Sequence, residues 1–477
     1  MGLVFNKIKL GSFLNDEFLR LDEKYRVFAG VQKYKVWDTL NCCPLSFALK
    51  ELNSPKLKKG ELENEYILID LANIERRGNS IVNAEKTHEI GSDKSLLKNG
   101  DIFIPKIEPK KGQFVLNTEH SEYLGSTELV EYVINKNNFN PLFLYYLLVS
   151  PRLLNVLACL ESGKTHKRVN SSDLLKIQIP KISLEIQNAV AEKIALLETN
   201  ITDLKNSKLK PKDIINRVFS YEFNIHFSDI SSIDSVAKLN IKLSSISPRN
   251  NNLRDSFRWN KMQHIQNYLY KDIDCIHLLG NFIIETKNGW SPLSVEGGEG
   301  IPILGQEHFS FDGTLKISPS KFTEVTKKNI DDCFIQQGDF FVSRGNTVDL
   351  VALASVVEEE ISEDIIFPDL YIKIQLDETR LDKKYLALLF NSFFGRLYFK
   401  YASKGKNQTM VKISSSELYD FYLPIPDIEI QKTIVKKIQA QIDAQSLIDQ
   451  EIEKNRAKIN LIIEEAIRNP VEQGQSQ

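Results

Sequence analysis

Apolar residues recur at 4-3-4-3 spacing in Val190, Ile194, Leu197, Ile201 and Leu204. That spacing predicts a helix presenting one apolar seam to a partner, as in a coiled coil. Toward the C-terminal end, Ile434, Ile438, Gln441, Gln445, Ile448, Ile452, Asn455, Ile459 and Ile462 hold the same register for four heptads. Polar Gln441, Gln445 and Asn455 within the stripe suggest a specified register, which a buried Asn can provide. A helix packed on its own globular domain would carry a similar stripe. Pro211 interrupts the first helix, yet Ile215 and Val218 resume its register. The proline therefore predicts a kink, or a break with restart.

The segments leading into these helices repeat. IQIPKISLEIQNAVAEKI (177–194) lies on FYLPIPDIEIQKTIVKKI (421–438) at an offset of 244, matching Pro180, Glu185, Ile186, Gln187, Lys193 and Ile194 with Pro424, Glu429, Ile430, Gln431, Lys437 and Ile438. Upstream, RVNSSDLLKIQIP (168–180) meets KISSSELYDFYLP (412–424), Gly100-Asp101 meets Gly338-Asp339, and Gly78 meets Gly313. LRLDEKY (19–25) and NKIKLGS (6–12) extend the match to FRWNKMQ (257–263) and LNIKLSS (239–245). Internal symmetry of such length indicates a duplicated domain pair, since a solenoid repeats at a far shorter period.

Each copy runs in one order. Short apolar strands punctuated by Gly, Pro, Asn and Asp come first. A helical stretch (140–157 or 383–401), a loop with Lys and Gly, a strand ending at Pro180 or Pro424, and the long helix follow. The expected fold is α/β, a mixed α+β chain. Two similar globular domains are separated by a pair of long antiparallel helices forming a coiled coil, with pseudo-twofold symmetry. The expected boundaries are 1–182 for the first domain, 183–237 for the first helical spacer, 238–425 for the second domain, 426–469 for the second spacer and 470–477 for a flexible tail.

Composition narrows the function. At 477 residues, 42% hydrophobic and 26% charged, the chain suits two or three globular domains. A net charge of −2 argues against a uniformly basic nucleic-acid coat and leaves local patches open. No apolar run approaches the roughly 20 residues that span a bilayer. The N-terminal stretch lacks a signal-peptide pattern, and Asn6 stands where myristoylation wants Ser or Thr. Cysteines 42, 43, 159, 275 and 333 form no CxxC pair, which fits reduced thiols and a cytoplasmic location.

Two similar readers on a helical spacer of about 50–60 Å suit duplex DNA, whose half-sites one turn apart lie about 34 Å from each other. GQEHFSFDG differs from DLANIERRG at matched positions, so the two half-sites should differ too. The duplicated Gly-Asp strand and the strand–Pro–x–x–x–x–Glu–Ile–Gln–helix passage resemble the specificity subunits of Type I restriction-modification enzymes. The second copy carries NGWSP (288–292), IPILGQEHF (301–309), QQGDFFVSRGN (337–346) and LPIPDIEIQKTIVKKI (423–438). The first keeps Gly-Asp, Pro180 and Glu-Ile-Gln, has IEPKK in place of GNTVD, and lacks an NGWSP equivalent.

The resemblance implies a non-catalytic reader of double-stranded DNA. Each globular part would be a target recognition domain for one half of an asymmetric bipartite site, with a gap of roughly 5–8 bp. The helices would dock two methyltransferase subunits acting on adenine N6, and restriction (translocase) subunits could join them. The chain itself would bind no cofactor or metal; S-adenosylmethionine, ATP and Mg would belong to the partner subunits.

Groove reading uses Arg or Lys for guanine, Asn or Gln for adenine, and further cations for phosphate. The candidates in the second domain are Lys287, Trp290, Gln306, His308, Arg344, Asn346, Lys404, Lys406, Asn407 and Gln408. In the first they are Arg76, Arg77, Lys106, Lys110, Lys164, His166, Lys167 and Arg168. KNSKLKPK (205–212) reads either as a solvated helix face or as a phosphate contact near the spacer.

Other chemistry is weighed against the repeat. ACLESGKT (158–165) resembles a phosphate loop, but helix rather than strand is expected before it. Asp101, Glu108 and Lys110 resemble a metal-dependent nuclease set, but the second copy lacks the glutamate and lysine. NPLF (140–143) is one residue from an adenine methyltransferase motif, and the histidines show no zinc spacing. A coiled-coil protein–protein adaptor and a nuclease or ATPase are the rival readings.

Overall fold

The structure, a computed structural model, describes residues 41–163, 166–226, 257–326, 330–407 and 410–468. The N-terminal repeats at 6–12 and 19–25, and their match at 239–245, lie outside the described residues. The fold is mixed α and β. The chain divides into two compact units, residues 1–206 with 450–477, and residues 207–449.

Both units are built on one plan. In the first, Cys42–Pro44 pairs antiparallel with Gln178–Pro180, and a four-stranded sheet runs in the order Leu49–Glu51, Leu129–Ile134, Ile102–Pro105, Val115–Leu116. In the second, Ile276–Leu278 pairs with Tyr422–Pro424, and the sheet runs Ile283–Asn288, Tyr371–Leu376, Phe340–Ser343, Ala354–Val356. Ile102–Pro105 and Phe340–Ser343 are buried at every position. Their continuous apolar runs are what strands covered on both faces require. The Gly-Asp before each strand has a local reason. Asp101 accepts from the Ile134 N–H (2.8 Å) and pairs with Lys136 (2.7 Å). Asp339 accepts from the Gln336 N–H (2.8 Å) and pairs with Lys373 (2.7 Å).

The repeated Glu-Ile-Gln has a reason as well. Helices Pro141–Leu148 and Lys383–Asn391 begin at N-caps Asn140 and Asp382, whose side chains take up amides of the first turn. The backbone N–H of Asn140 donates to Gln187 Oε1 (2.9 Å), and that of Asp382 donates to Gln431 Oε1 (2.9 Å). Gln187 Nε2 donates to the carbonyls of Asn138 and Ile182; Gln431 Nε2 donates to those of Arg380 and Pro426. Both glutamines are fully buried. A buried amide with three bonds ties the start of each long helix to its globular part, and an apolar residue would orphan three backbone groups.

The units differ beyond this common part. The first adds a five-stranded sheet in the order Lys56–Leu57, Lys94–Leu97, Tyr123–Ser126, Gly60–Ile69, Glu85–Ile90, with Gly60–Ile69 parallel to Tyr123–Ser126. The second adds a three-stranded sheet, Val295–Glu296, Lys321–Thr323, Ile301–Ile303.

The first long helix, Leu184–Ser207, stops, and Pro211–Glu222 restarts with proline in its first turn. The second is one helix of 41 residues, Ile428–Arg468. Within the second unit, Lys208 pairs with Asp449, the Leu209 N–H donates to Gln445 Oε1 (2.8 Å), and Glu222 pairs with Lys437. The two helices therefore run in opposite directions there. Gln445 has a clear task in the apolar stripe: it accepts from an amide that the break leaves without a helical partner.

Val190, Ile194, Ile201, Ile434, Ile438, Ile452 and Ile459 are buried, while Leu197, Leu204, Ile448 and Ile462 are half-buried. At its end the stripe moves to Ile463, Ala466 and Ile467, which replace Ile462 as the buried positions. A straight helix drifts about 20° per heptad against a strict seven-residue repeat, which accounts for the shift. Ile434 and Ile438 join Ile215, Val218 and Phe219 in the core of the second unit, together with Tyr385 and Phe394. In that stretch the helices pack on the globular part as well as on each other.

Candidate nucleic-acid interface

In the second unit, Gly345–Asn346, Met410–Lys412 and Lys404–Asn407 form a small sheet with Met410–Lys412 at its centre. Lys412 lies opposite Gly345 on one side and Lys404 on the other. The Ile413 N–H donates to the Arg344 carbonyl (2.9 Å). The arginine loop and the SKGKNQT loop, far apart in sequence, thus meet in one ladder.

The first unit builds the same ladder from single bridges. Arg168 lies opposite Ile107 and opposite Ser162, and the Val169 N–H donates to the Lys106 carbonyl (2.9 Å). Position for position, Lys106 corresponds to Arg344 and Arg168 to Lys412. Each unit therefore places a cation at two equivalent points of one ladder, next to the end of the Gly-Asp strand. Lys412 is absent from the sequence-derived candidates, although it falls on Arg168 in the repeat. Cations at matched positions of unlike loops were the signal that could have found it.

Other candidates gather around these ladders. Arg77 is exposed, with its N–H donating to the Gly112 carbonyl (2.9 Å), which brings the Arg76-Arg77 turn beside residues 106–112. The Glu108 N–H donates to the Lys167 carbonyl, so Lys167 and exposed His166 share the same edge. Arg344 Nη1 donates to the Asp369 carbonyl (3.3 Å), and Asn346 Oδ1 accepts from the Thr347 N–H (2.8 Å). Arg396 holds the loop that follows, donating to the carbonyls of Asp349, Val351, Ala352 and Phe390. Lys406 and Asn407 lie on the edge strand, while Lys164 and Gln408 lie outside the described residues.

Four further candidates in the second unit lie outside the ladder strands and hold contacts of their own. His308 is only 2% exposed, and its Nδ1 accepts from the Gly305 N–H (2.8 Å). Its counterpart Asn73 accepts from the Asp70 N–H in the matching one-turn helix, so His308 is a buried cap and presents no ring to a groove. Gln306 spends its amide internally, donating to the Leu370 carbonyl (2.9 Å) and accepting from Ser343 Oγ (2.5 Å). Trp290 packs against the apolar cluster around Phe341 and Tyr371. Lys287 pairs with Asp332 (3.1 Å) on a wall shared with Asp331 and Asp339.

Carboxylates set the charge of the two ladders. Arg168 binds Glu128 with Nε and Nη2 (3.1 and 2.7 Å), a bond that holds the Glu128 carboxyl below its usual range and raises the arginine. Lys110 pairs with buried Glu161 (2.8 Å), and Lys111 with Glu108. In the second unit Lys404 reaches Glu417 (2.6 Å). Burial pushes Glu417 up, but hydrogen bonds from Lys404 and Ser414 outweigh it and leave its pKa lowered. In the basic run 205–212, Lys208, Lys210 and Lys212 are exposed, as a solvated face requires, and three of its lysines also have partners. Lys205 pairs with Glu75, Lys208 with Asp449, and Lys212 lies over the Phe311 ring.

The remaining motifs also have structural settings. The asparagine of NPLF is the N-cap Asn140. ACLESGKT starts within helix Pro151–Leu160 and leaves its C-terminal end, where carbonyls rather than N–H groups point outward. Asp101, Glu108 and Lys110 each hold a different partner: Lys136, Lys111 and Glu161. Among the described residues, no helix is long and apolar enough to cross a membrane, and no group of three or more His, Cys, Asp or Glu converges as for a metal.

No family model and no curated protein matches the chain. Solved structures similar to it include the following three. A chain from work on complex assembly and conformational transition of the type I R-M system aligns at TM-score 0.45 and 14% identity, over 91% of this chain and 100% of that one. The HsdS subunit from Thermoanaerobacter tengcongensis aligns at 0.32 and 15%, over 90% and 97%. The Type-I restriction-modification system S subunit from M. genitalium aligns at 0.36 and 13%, over 90% and 96%.

Proposed function

We propose that this chain is the DNA sequence-specificity subunit of a Type I restriction-modification enzyme, working in the cytoplasm without catalytic chemistry of its own. The observation that carries the reading is the pair of matched ladders, with Lys106 and Arg168 in one unit and Arg344 and Lys412 in the other. Cations repeated at equivalent backbone positions suit two phosphate-positioned readers on one duplex. Arg, Lys and Asn on the neighbouring loops supply donors that fit guanine and adenine edges. The loops differ between the units, so each would read its own half of an asymmetric interrupted site.

The helices act in this reading as an antiparallel coiled-coil spacer and as the docking surface for two methyltransferase subunits, with restriction subunits able to join. S-adenosylmethionine, ATP and Mg are assigned to those partners. The test is genome-wide adenine-methylation sequencing of the source organism with and without the gene. Loss of one interrupted, asymmetric motif is expected. Unchanged methylation, with the gene and its neighbours verifiably expressed, would overturn the reading and favour a protein–protein adaptor.

A further inference from the structure

The Arg76-Arg77 turn has an unusual base. Ile74 bridges Ile81, and the Glu75 N–H donates to the Ser80 carbonyl (3.1 Å), closing a tight loop with both arginines at its exposed tip. Arg77 adopts a left-handed conformation with φ of 57°, which a non-glycine side chain holds only when its surroundings enforce it. The Arg77 N–H is held by the Gly112 carbonyl (2.9 Å), and the base of the turn is held by Glu75. Its carboxylate takes Lys205 Nζ (2.6 Å) from the end of helix Leu184–Ser207, Arg456 Nη2 (2.5 Å) from helix Ile428–Arg468, and the Ser80 hydroxyl. All of these residues belong to the first unit.

Burial raises the Glu75 pKa, but the Lys205 and Ser80 hydrogen bonds and the charges of Lys205 and Arg456 outweigh it, leaving it lowered. Gly78 completes the arrangement. A Cβ there would lie 2.6 Å from Glu75 Oε2 and 3.0 Å from Arg456 Nη2, so a side chain at 78 would push the carboxylate aside.

We infer that Glu75 is a positioning residue for DNA binding: it fixes the Arg76-Arg77 turn to both helices so that the two guanidinium groups meet the phosphate backbone in one orientation. The inference rests on the DNA-reading proposal above. Without Glu75, Lys205 and Arg456 would repel each other and the turn would lose its anchor.

The test is a mutant cycle on the purified full chain, read as affinity for a labelled mixed-sequence duplex of about 40 bp across a salt series. Arg76→Ala with Arg77→Ala should weaken binding and flatten the dependence of log K on log salt by about 1–2. Glu75→Gln alone should weaken binding on the order of three- to tenfold and flatten the same dependence. Added to the double arginine variant, Glu75→Gln should cause no further loss. Full additivity would overturn the inference, because Glu75 would then act elsewhere; so would wild-type binding by Glu75→Gln. Wild-type affinity in the double arginine variant would instead remove this turn from the DNA site, and the inference with it. If Glu75→Gln does not fold, Gly78→Ala, which displaces the carboxylate without removing it, decides by the same cycle.

Discussion

The two ladders share a backbone and differ in their electrostatics. In the second unit, Arg344 donates to a carbonyl, Lys412 stands exposed at the centre, and Lys404 reaches Glu417. In the first, Arg168, Lys110 and Lys111 hold Glu128, Glu161 and Glu108. The lesson is that the sheet, the Gly-Asp strand and the buried glutamine are common to both units, while the side chains on the ladder differ. Under the proposed function, one scaffold used twice would serve two half-sites of unlike sequence. The first unit should also be the weaker electrostatic binder, because DNA must compete with its own carboxylates.

The largest effect should come from breaking what the units share. Gln187→Ala and Gln431→Ala each leave three backbone groups without their side-chain partner and should cost about 1–3 kcal/mol in the unit concerned. Chemical denaturation should show similar losses for both; a neutral result for either would end the comparison at that point. Next, Arg344→Ala with Lys412→Ala should lower duplex affinity about 10- to 100-fold at low salt and reduce the salt slope by about 2. Lys106→Ala with Arg168→Ala should do less, about three- to tenfold, since Arg168 is already engaged by Glu128. Binding titrations on the two double variants read this asymmetry directly.

The smallest effect is a pH dependence. The Glu128 pKa is depressed, so the stability from its bond with Arg168 is present above the ordinary carboxylate range and is lost as pH falls through the depressed value. The same fall frees Arg168 for phosphate. In the Arg344→Ala, Lys412→Ala background, DNA affinity should therefore rise on acidification by more than it does once Glu128→Gln is added. Equal pH profiles would show that Glu128 does not mask Arg168.

Much of this was legible in the residues because the chain repeats. Gly-Asp, the proline-ended strand and Glu-Ile-Gln marked matched elements without any structure. What a repeat cannot reveal is which polar residues turn inward. His308 followed a strand in a loop rich in polar groups, as a reader would, yet the offset that sets Gly78 on Gly313 also sets Asn73 on His308. Both cap a one-turn helix. Gln445 fitted a register-setting role, whereas its bond answers an amide freed by the break before Pro211, visible only once the helices are paired. Lys412 is legible in the repeat, where it falls on Arg168, although it lies outside the SKGKNQT loop. The partners of Lys205, Lys208 and Lys212 come from distant segments, so a basic run in the sequence gave no sign of them.

The central claim, that each ladder reads its own half of one DNA site, is tested most directly by adenine-methylation sequencing of cells carrying Lys106→Ala with Arg168→Ala or Arg344→Ala with Lys412→Ala in place of the wild-type gene. Each variant should relax or weaken one half of the interrupted motif and leave the other half and the gap unchanged. Simultaneous change of both halves by either variant, or an unaltered motif with both variants expressed, would contradict it.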